Sequence, residues 1–293
     1  MSARAPLLAL AAAALADAAE AGPPPRLVHA RVETRAAAGG LQEAVHRIVS
    51  AGTAPVWIGY AVPVDGSHSM CCWETVDSIE TTRCPGCRLE GKGSFTFREH
   101  QGDDSANLEA DDKFVVLLRA DGGRIGRLRV LSWSCALDAG GLPVFWLDDV
   151  RPTDSVRLLG ALIDDTAASR HVLDGALLAL ATQAEPSALD RLIAAARRDP
   201  SPRVREQALF WLSQKAGQRA TATIARAVDD DPESQVRQRA VFALSQLPRD
   251  DGVPRLITLA RTHRDPRVRE KAMFWLGQSG DPRALALFEE ILR

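Results

Sequence analysis

Five cysteines, Cys71, Cys72, Cys84, Cys87 and Cys135, all fall in the first half of this 293-residue chain. Cys84-Pro85-Gly86-Cys87 is a C-x-x-C, a spacing that serves two chemistries. It presents two thiolates from one turn to a tetrahedral zinc ion, and it lowers the pKa of a thiol for disulfide exchange. A zinc site here would draw on Cys71 or Cys72, Cys84, Cys87, and His68 or Cys135. A second C-x-x-C is missing, and the adjacent pair Cys71-Cys72 is a poor substitute for one. Exchange chemistry normally places the motif at a helix start, whereas Arg88-Leu89-Glu90-Gly91-Lys92-Gly93 starts no helix. The expectation is therefore structural disulfides, the default for an exported chain. Bridges from Cys71 or Cys72 to Cys84 or Cys87 avoid the strain of a vicinal bond. This reading needs no cofactor; zinc held by Cys72, Cys84, Cys87 and His68 is the alternative.

Other catalytic patterns are absent from the sequence. It has no G-x-S-x-G, no H-E-x-x-H, no P-loop and no dinucleotide fingerprint. The six histidines are scattered, and Glu99-His100 beside Asp103-Asp104 reads as a loop. No enzymatic activity is expected. A net charge of −2 gives the chain no pull toward nucleic acid.

The start of the chain reads as a secretory leader. Arg4 supplies a positive charge, Pro6 to Leu15 is an apolar run, and Ala16-Asp17-Ala18 and Ala19-Glu20-Ala21 are small-x-small cleavage sites. The run is too short to span a bilayer, so the mature chain is expected to lack a membrane span and to be periplasmic or extracellular. The organisation predicted is a signal peptide over 1–21, a linker over 22–26, a β-containing cysteine-bearing domain over 27–151, and a helical domain over 152–293. The fold class predicted is α+β, with an antiparallel first domain and an all-α second one.

In the first domain, Leu27 to Glu33 alternates as a strand does. Leu41, Ala44, Val45 and Ile48 lie on one face of a helix over Leu41–Ser50. Val56–Val62, Ser94–Arg98 and Leu142–Leu147 read as strands. Lys113–Arg119 and Arg124–Trp133 read as a hairpin about Asp121-Gly122-Gly123.

The second domain is periodic. Val204-Arg205-Glu206-Gln207-Ala208-Leu209-Phe210-Trp211-Leu212 returns 32 residues later as Val236 to Leu244, and again as Val268 to Leu276. A weaker copy stands at Val172, Ala176, Leu178 and Leu180. A fixed period in this range signals a solenoid of stacked units. Val204, Ala208, Trp211 and Leu212 form one apolar stripe. On a wheel of about 100° per residue, Phe210 falls at roughly 240° from Val204, almost opposite that stripe. Phe242 and Phe274 follow it, flanked by Arg203 and Arg267 and by Gln214, Gln246 and Gln278. An aromatic row outside the core marks a partner-binding face. The alternative is that the rings pack on one another and close the solenoid.

The turns Asp199-Pro200, Asp231-Pro232, Asp265-Pro266 and Asp281-Pro282, with V-R-x-x-A-x-x-x-L after them, resemble HEAT repeats, most closely the short PBS-lyase HEAT-like class. The resemblance covers roughly 152–293 and implies paired antiparallel helices and, most often, an adaptor. It also implies that Arg205, Arg237 and Arg269 bond a neighbouring turn aspartate. Tyr60-Ala61-Val62-Pro63 and Cys135 to Gly141 resemble stretches of uncharacterised exported bacterial HEAT-repeat proteins. The function expected is a scaffold for a protein partner, not yet identified, with a thiol–disulfide or zinc-binding envelope protein as the alternative.

Overall fold

The computed structural model describes residues 24–64, 68–73, 87–91, 94–99, 112–215 and 217–292. Its first half holds β1 (Leu27–Val28), β2 (Arg31–Ala36), α1 (Leu41–Ser50), β3 (Val56–Pro63), β4 (His68–Trp73), β5 (Cys87–Arg88), β6 (Ser94–Glu99), β7 (Lys113–Asp121), β8 (Arg124–Ser132), β9 (Leu137–Asp138) and β10 (Pro143–Asp148). The helices that follow are α2 (Pro152–Asp164), α3 (Arg170–Thr182), α4 (Pro186–Arg198), α5 (Pro202–Gln214), α6 (Gln218–Asp230), α7 (Ser234–Ser245), α8 (Arg249–Thr262), α9 (Pro266–Ser279) and α10 (Pro282–Ile291). The class is α+β with a helical repeat region.

Local chemistry explains most of these elements. Gly122 and Gly123 take φ of 58° and 73°, the paired left-handed conformation of a tight hairpin turn, so β7 folds back on β8. The α1 helix buries Leu41, Ala44, Val45 and Ile48, the stripe its periodicity predicts. Prolines occupy the first turn of α2, α4, α5, α9 and α10, where no helical N–H is lost.

Two expectations need correction. The alternating stretch from Leu27 is not one strand: His29 sits at φ 48° and divides it into β1 and β2, which join different sheets. The main sheet is mixed, not antiparallel. Its order is β2-β10-β3-β7-β8, with β10 parallel to both β2 and β3, and antiparallel pairing from β3 through β8. Hairpin signals report only neighbours in sequence, whereas β10 reaches its partners from far along the chain.

Both faces of the main sheet are covered, so β3 and β7 are almost wholly buried. On one face Trp57, Val115, Leu117, Val144 and Trp146 pack with Leu89, Leu137 and Cys135 beside the small sheet β1-β9-β5. On the other, Ile58, Tyr60, Val62, Phe114, Val116 and Leu118 join α1 and the helical half in one apolar core. The link to the helices is intimate. A Cβ on Gly175 of α3 would lie 2.6 Å from the Leu128 carbonyl oxygen of β8. Ser169 caps α3 and donates from its hydroxyl to the Gly126 carbonyl at 2.9 Å. The Tyr60 hydroxyl lies 3.1 Å from Ser155 Oγ of α2, and burial pushes the phenol's pKa up.

Beyond α3 the helices alternate between two rows. The row α3, α5, α7, α9 packs more closely, helix against helix, than the row α2, α4, α6. The first row, which begins at the helix packed on β8, is termed the inner row. Successive turns are fastened by arginines. Arg205 donates through Nε and Nη2 to Asp231 at 2.8 and 3.0 Å, and through Nη1 to the Asp199 carbonyl at 2.8 Å. Arg237 donates to the Asp231 carbonyl at 2.8 Å and to Asp265 at 3.0 Å. Arg269 donates to the His263 carbonyl at 2.8 Å. His263 stands where the two earlier turns carry aspartate, and Asp265 supplies the carboxylate from two residues further on. The Arg237 guanidinium, followed by the Arg267 backbone N–H, holds the Asp265 carboxyl below its ordinary pKa.

Candidate functional site

The inner row of helices carries the aromatic residues. Phe210 of α5 and Phe242 of α7 stack nearly parallel, with ring centroids 6.4 Å apart and planes 4° from coincidence. Trp275 of α9 continues the row at 4.9 Å from Phe242, and Phe274 meets it edge-on at 4.9 Å. Trp211 lies 4.9 Å from Phe210 at the other end. Phe210 and Phe242 are half-buried by this stacking, and Phe274 is 51% exposed.

Cations cover the ring faces. The Arg239 guanidinium lies 4.6 Å from the Phe242 centroid and 5.5 Å from that of Phe210, and Lys271 Nζ lies 5.6 Å from that of Phe274. Such contacts favour the rings' positions by about 0.5–1 kcal/mol each at exposed sites. Period counting does not reveal these two residues, because their equivalent in the first full unit is Gln207. Their signal is local: each cation stands three residues before its phenylalanine, on the same helical face.

The flanking residues divide. Arg203 is committed to the preceding repeat, with Nη2 at 3.0 Å from both Asp174 oxygens. Arg267 is exposed, and its backbone N–H is taken by the Asp265 cap. Gln214, Gln246 and Gln278 are exposed along the C-terminal edge of the row. The first two donate to Ser213 and Ser245. Trp211, expected within the core stripe, is only half-buried, because its ring turns toward Phe210. That turn places it on the lip of a hollow of about 580 Å³ between β8, α3 and α5, lined also by Arg127, Arg129, His171, Asp174 and Leu178. The aromatic row and this hollow form one continuous surface. A larger hollow, about 720 Å³, lies between α1 and α2. The carboxylates there are already engaged: Asp154 by Arg151 and Arg157, and Glu43 by Arg47.

The cysteines lie behind the main sheet. Cys87 and Cys135 are buried, and neither is a free thiol. Arg129 donates to Cys87 Sγ at 3.3 Å and to the Arg88 and Gly91 carbonyls. Cys71 and Cys72 fall on β4, whose backbone pairs with β6; their side chains, that of His68, and Cys84 lie outside the described residues. Among the described residues no cluster of three potential metal ligands occurs.

Paired helices, aspartate turns and bridging arginines recur on one period through the helical half. Residues 220–293 match the family model of HEAT repeats. No curated protein matches the chain. Among solved structures, human deoxyhypusine hydroxylase in complex with glycerol is 22% identical, with a TM-score of 0.36, over 42% of this chain and 43% of its own. This chain thus spans less than half the length of that protein. The CpcE–CpcF complex of phycocyanin lyase from Nostoc sp. is 24% identical, with a TM-score of 0.31, over 43% of this chain and 90% of its own. HEAT repeats of the kind matched over 220–293 generally mediate contacts between proteins. No described helix is long and apolar enough to cross a membrane.

Proposed function

We propose that this protein is an exported, non-catalytic scaffold that holds a partner protein along the inner face of its HEAT repeats. The observation that carries the reading is the unbroken run Trp211, Phe210, Phe242, Trp275, Phe274, with Arg239 and Lys271 over its rings. Aromatic and arginine side chains are the residues that dominate protein interfaces. The main sheet anchors the first inner helix, so the row is presented on a rigid support. Export rests on the leader-like segment over 1–21. We read the cysteines as structural staples in the exported protein. Support comes from the burial of Cys87 and Cys135 and from neither being a free thiol.

Site-specific photocrosslinking in the producing cell tests this reading. A crosslinking residue at Gln246, beside the row, is expected to trap a discrete partner. One at Arg226, on the outer helix α6, is expected not to. The crosslink at Gln246 should disappear when Phe210, Phe242 and Phe274 are changed to serine in a chain that keeps its helical circular dichroism. Equal trapping from both positions, or trapping that survives the triple change, overturns the proposal.

A further inference from the structure

The two edges of the main sheet differ. β8 is packed against α3, whereas β2 pairs, among the described residues, with β10 alone. All six residues of β2 are exposed, Val32 at 42%. An edge with free backbone donors and acceptors is a template for another strand. The side chains of β2 alternate: Arg31, Glu33 and Arg35 on one face, Val32, Thr34 and Ala36 on the other. Arg35 is held in place, its Nε 2.8 Å from Glu33 Oε1 and its guanidinium 4.2 Å from the Phe145 ring centroid. Both of its terminal nitrogens remain available to a second carboxylate.

We propose that β2 is the seam of a two-fold dimer, in which a second copy of this chain pairs antiparallel along it and the sheet runs through both copies. A two-fold axis normal to the sheet sets some residue of β2 directly opposite itself. Centring on Glu33 opposes Glu33 to Glu33 and Arg31 to Arg35, which is repulsive. Centring on Val32 opposes Arg31 to Glu33 but runs the pairing back to Ala30, beside His29, whose φ of 48° interrupts the strand. Centring on Thr34 keeps Val32 to Ala36 within the strand, sets Glu33 against Arg35 twice, and covers the exposed Val32 with Ala36. Charge and strand limits together select this register. The same alternation of charge penalises foreign strands that lack its complement.

Sedimentation equilibrium of the mature chain tests the seam through charge reversal at two exposed positions. The wild type is expected to dimerise. E33R opposes Arg to Arg at both symmetric pairs, and R35E opposes Glu to Glu. Each is expected to weaken the dimer by about tenfold or more, and the double variant E33R/R35E is expected to restore it. A wild type that stays monomeric at all concentrations overturns the proposal. So does a dimer that neither single reversal weakens, or one that the double reversal fails to recover.

Discussion

Changing Arg205 to methionine keeps the aliphatic stem and removes the guanidinium, stranding the Asp231 carboxylate in a site where its side chain is 6% exposed. Asp231 loses two charge-assisted bonds, at 2.8 and 3.0 Å, and keeps only the backbone N–H of Glu233 at 2.9 Å. Breaking one side of a buried pair costs about 3–5 kcal/mol. Arg237 to methionine is the internal control. It loses a bond of the same 2.8 Å length to its own turn carbonyl, but its carboxylate contact is single and the pair is about a fifth exposed on each side. Water reaches that carboxylate, so the cost expected is about 1–2 kcal/mol. The gap of about 2 kcal/mol is the quantity of interest, because the shared carbonyl contact cancels. Urea unfolding followed by far-ultraviolet circular dichroism at neutral pH measures it. Equal costs, or a larger cost for Arg237, would refute the view that burial of the fork, rather than the turn carbonyl, sets the strength of these fasteners. Replacing both Arg205 and Asp231 by apolar residues should recover much of the loss, since no charge is then left buried.

Tyr60 is the chain's single tyrosine, so its ionisation can be followed without interference. Its raised pKa means that the unfolded chain releases this proton first as pH climbs; stability is full below about pH 10 and falls above it. Absorbance at 295 nm should therefore rise together with unfolding, and a free titration near pH 10 in the folded protein would contradict the burial. Two glycine-to-alanine changes should have opposite signs. G175A is expected to cost about 1–3 kcal/mol by driving α3 from β8. G277A, in α9 with nothing within 4 Å of its new methyl, should stabilise by about 0.5–1 kcal/mol. Thermal melts of the pair decide this.

What the sequence discloses depends on how local its cause is. The α1 helix and the β7–β8 hairpin follow from a few consecutive residues, and both stand where their patterns place them. The parallel pairing of β10 with β2 and β3 has no local signature, and neither does the turn of backbone at His29. In the helical half, the 32-residue period exposes whatever recurs from unit to unit, including the phenylalanines of its last three copies. It hides what varies, so the cover of Arg239 and Lys271 shows in local i, i+3 spacing and in the contacts rather than in the period. Arg203 looked like part of the same surface by position, yet it serves the neighbouring repeat through Asp174. Register alone does not say which way a long side chain reaches.

The fasteners between turns have a consequence for the reach of the surface. Arg205 and Arg237 each span a single step of the stack, and each step contributes one ring to the row. Under the proposed function the row would therefore act as a graduated ruler whose zero is fixed at the sheet and whose marks are laid down one unit at a time. Its length is inherited as copy number, separately from the anchor that holds it. If the row holds a partner as proposed, gain or loss of a whole unit would change the length of segment it accommodates without rebuilding the part of the protein that anchors it.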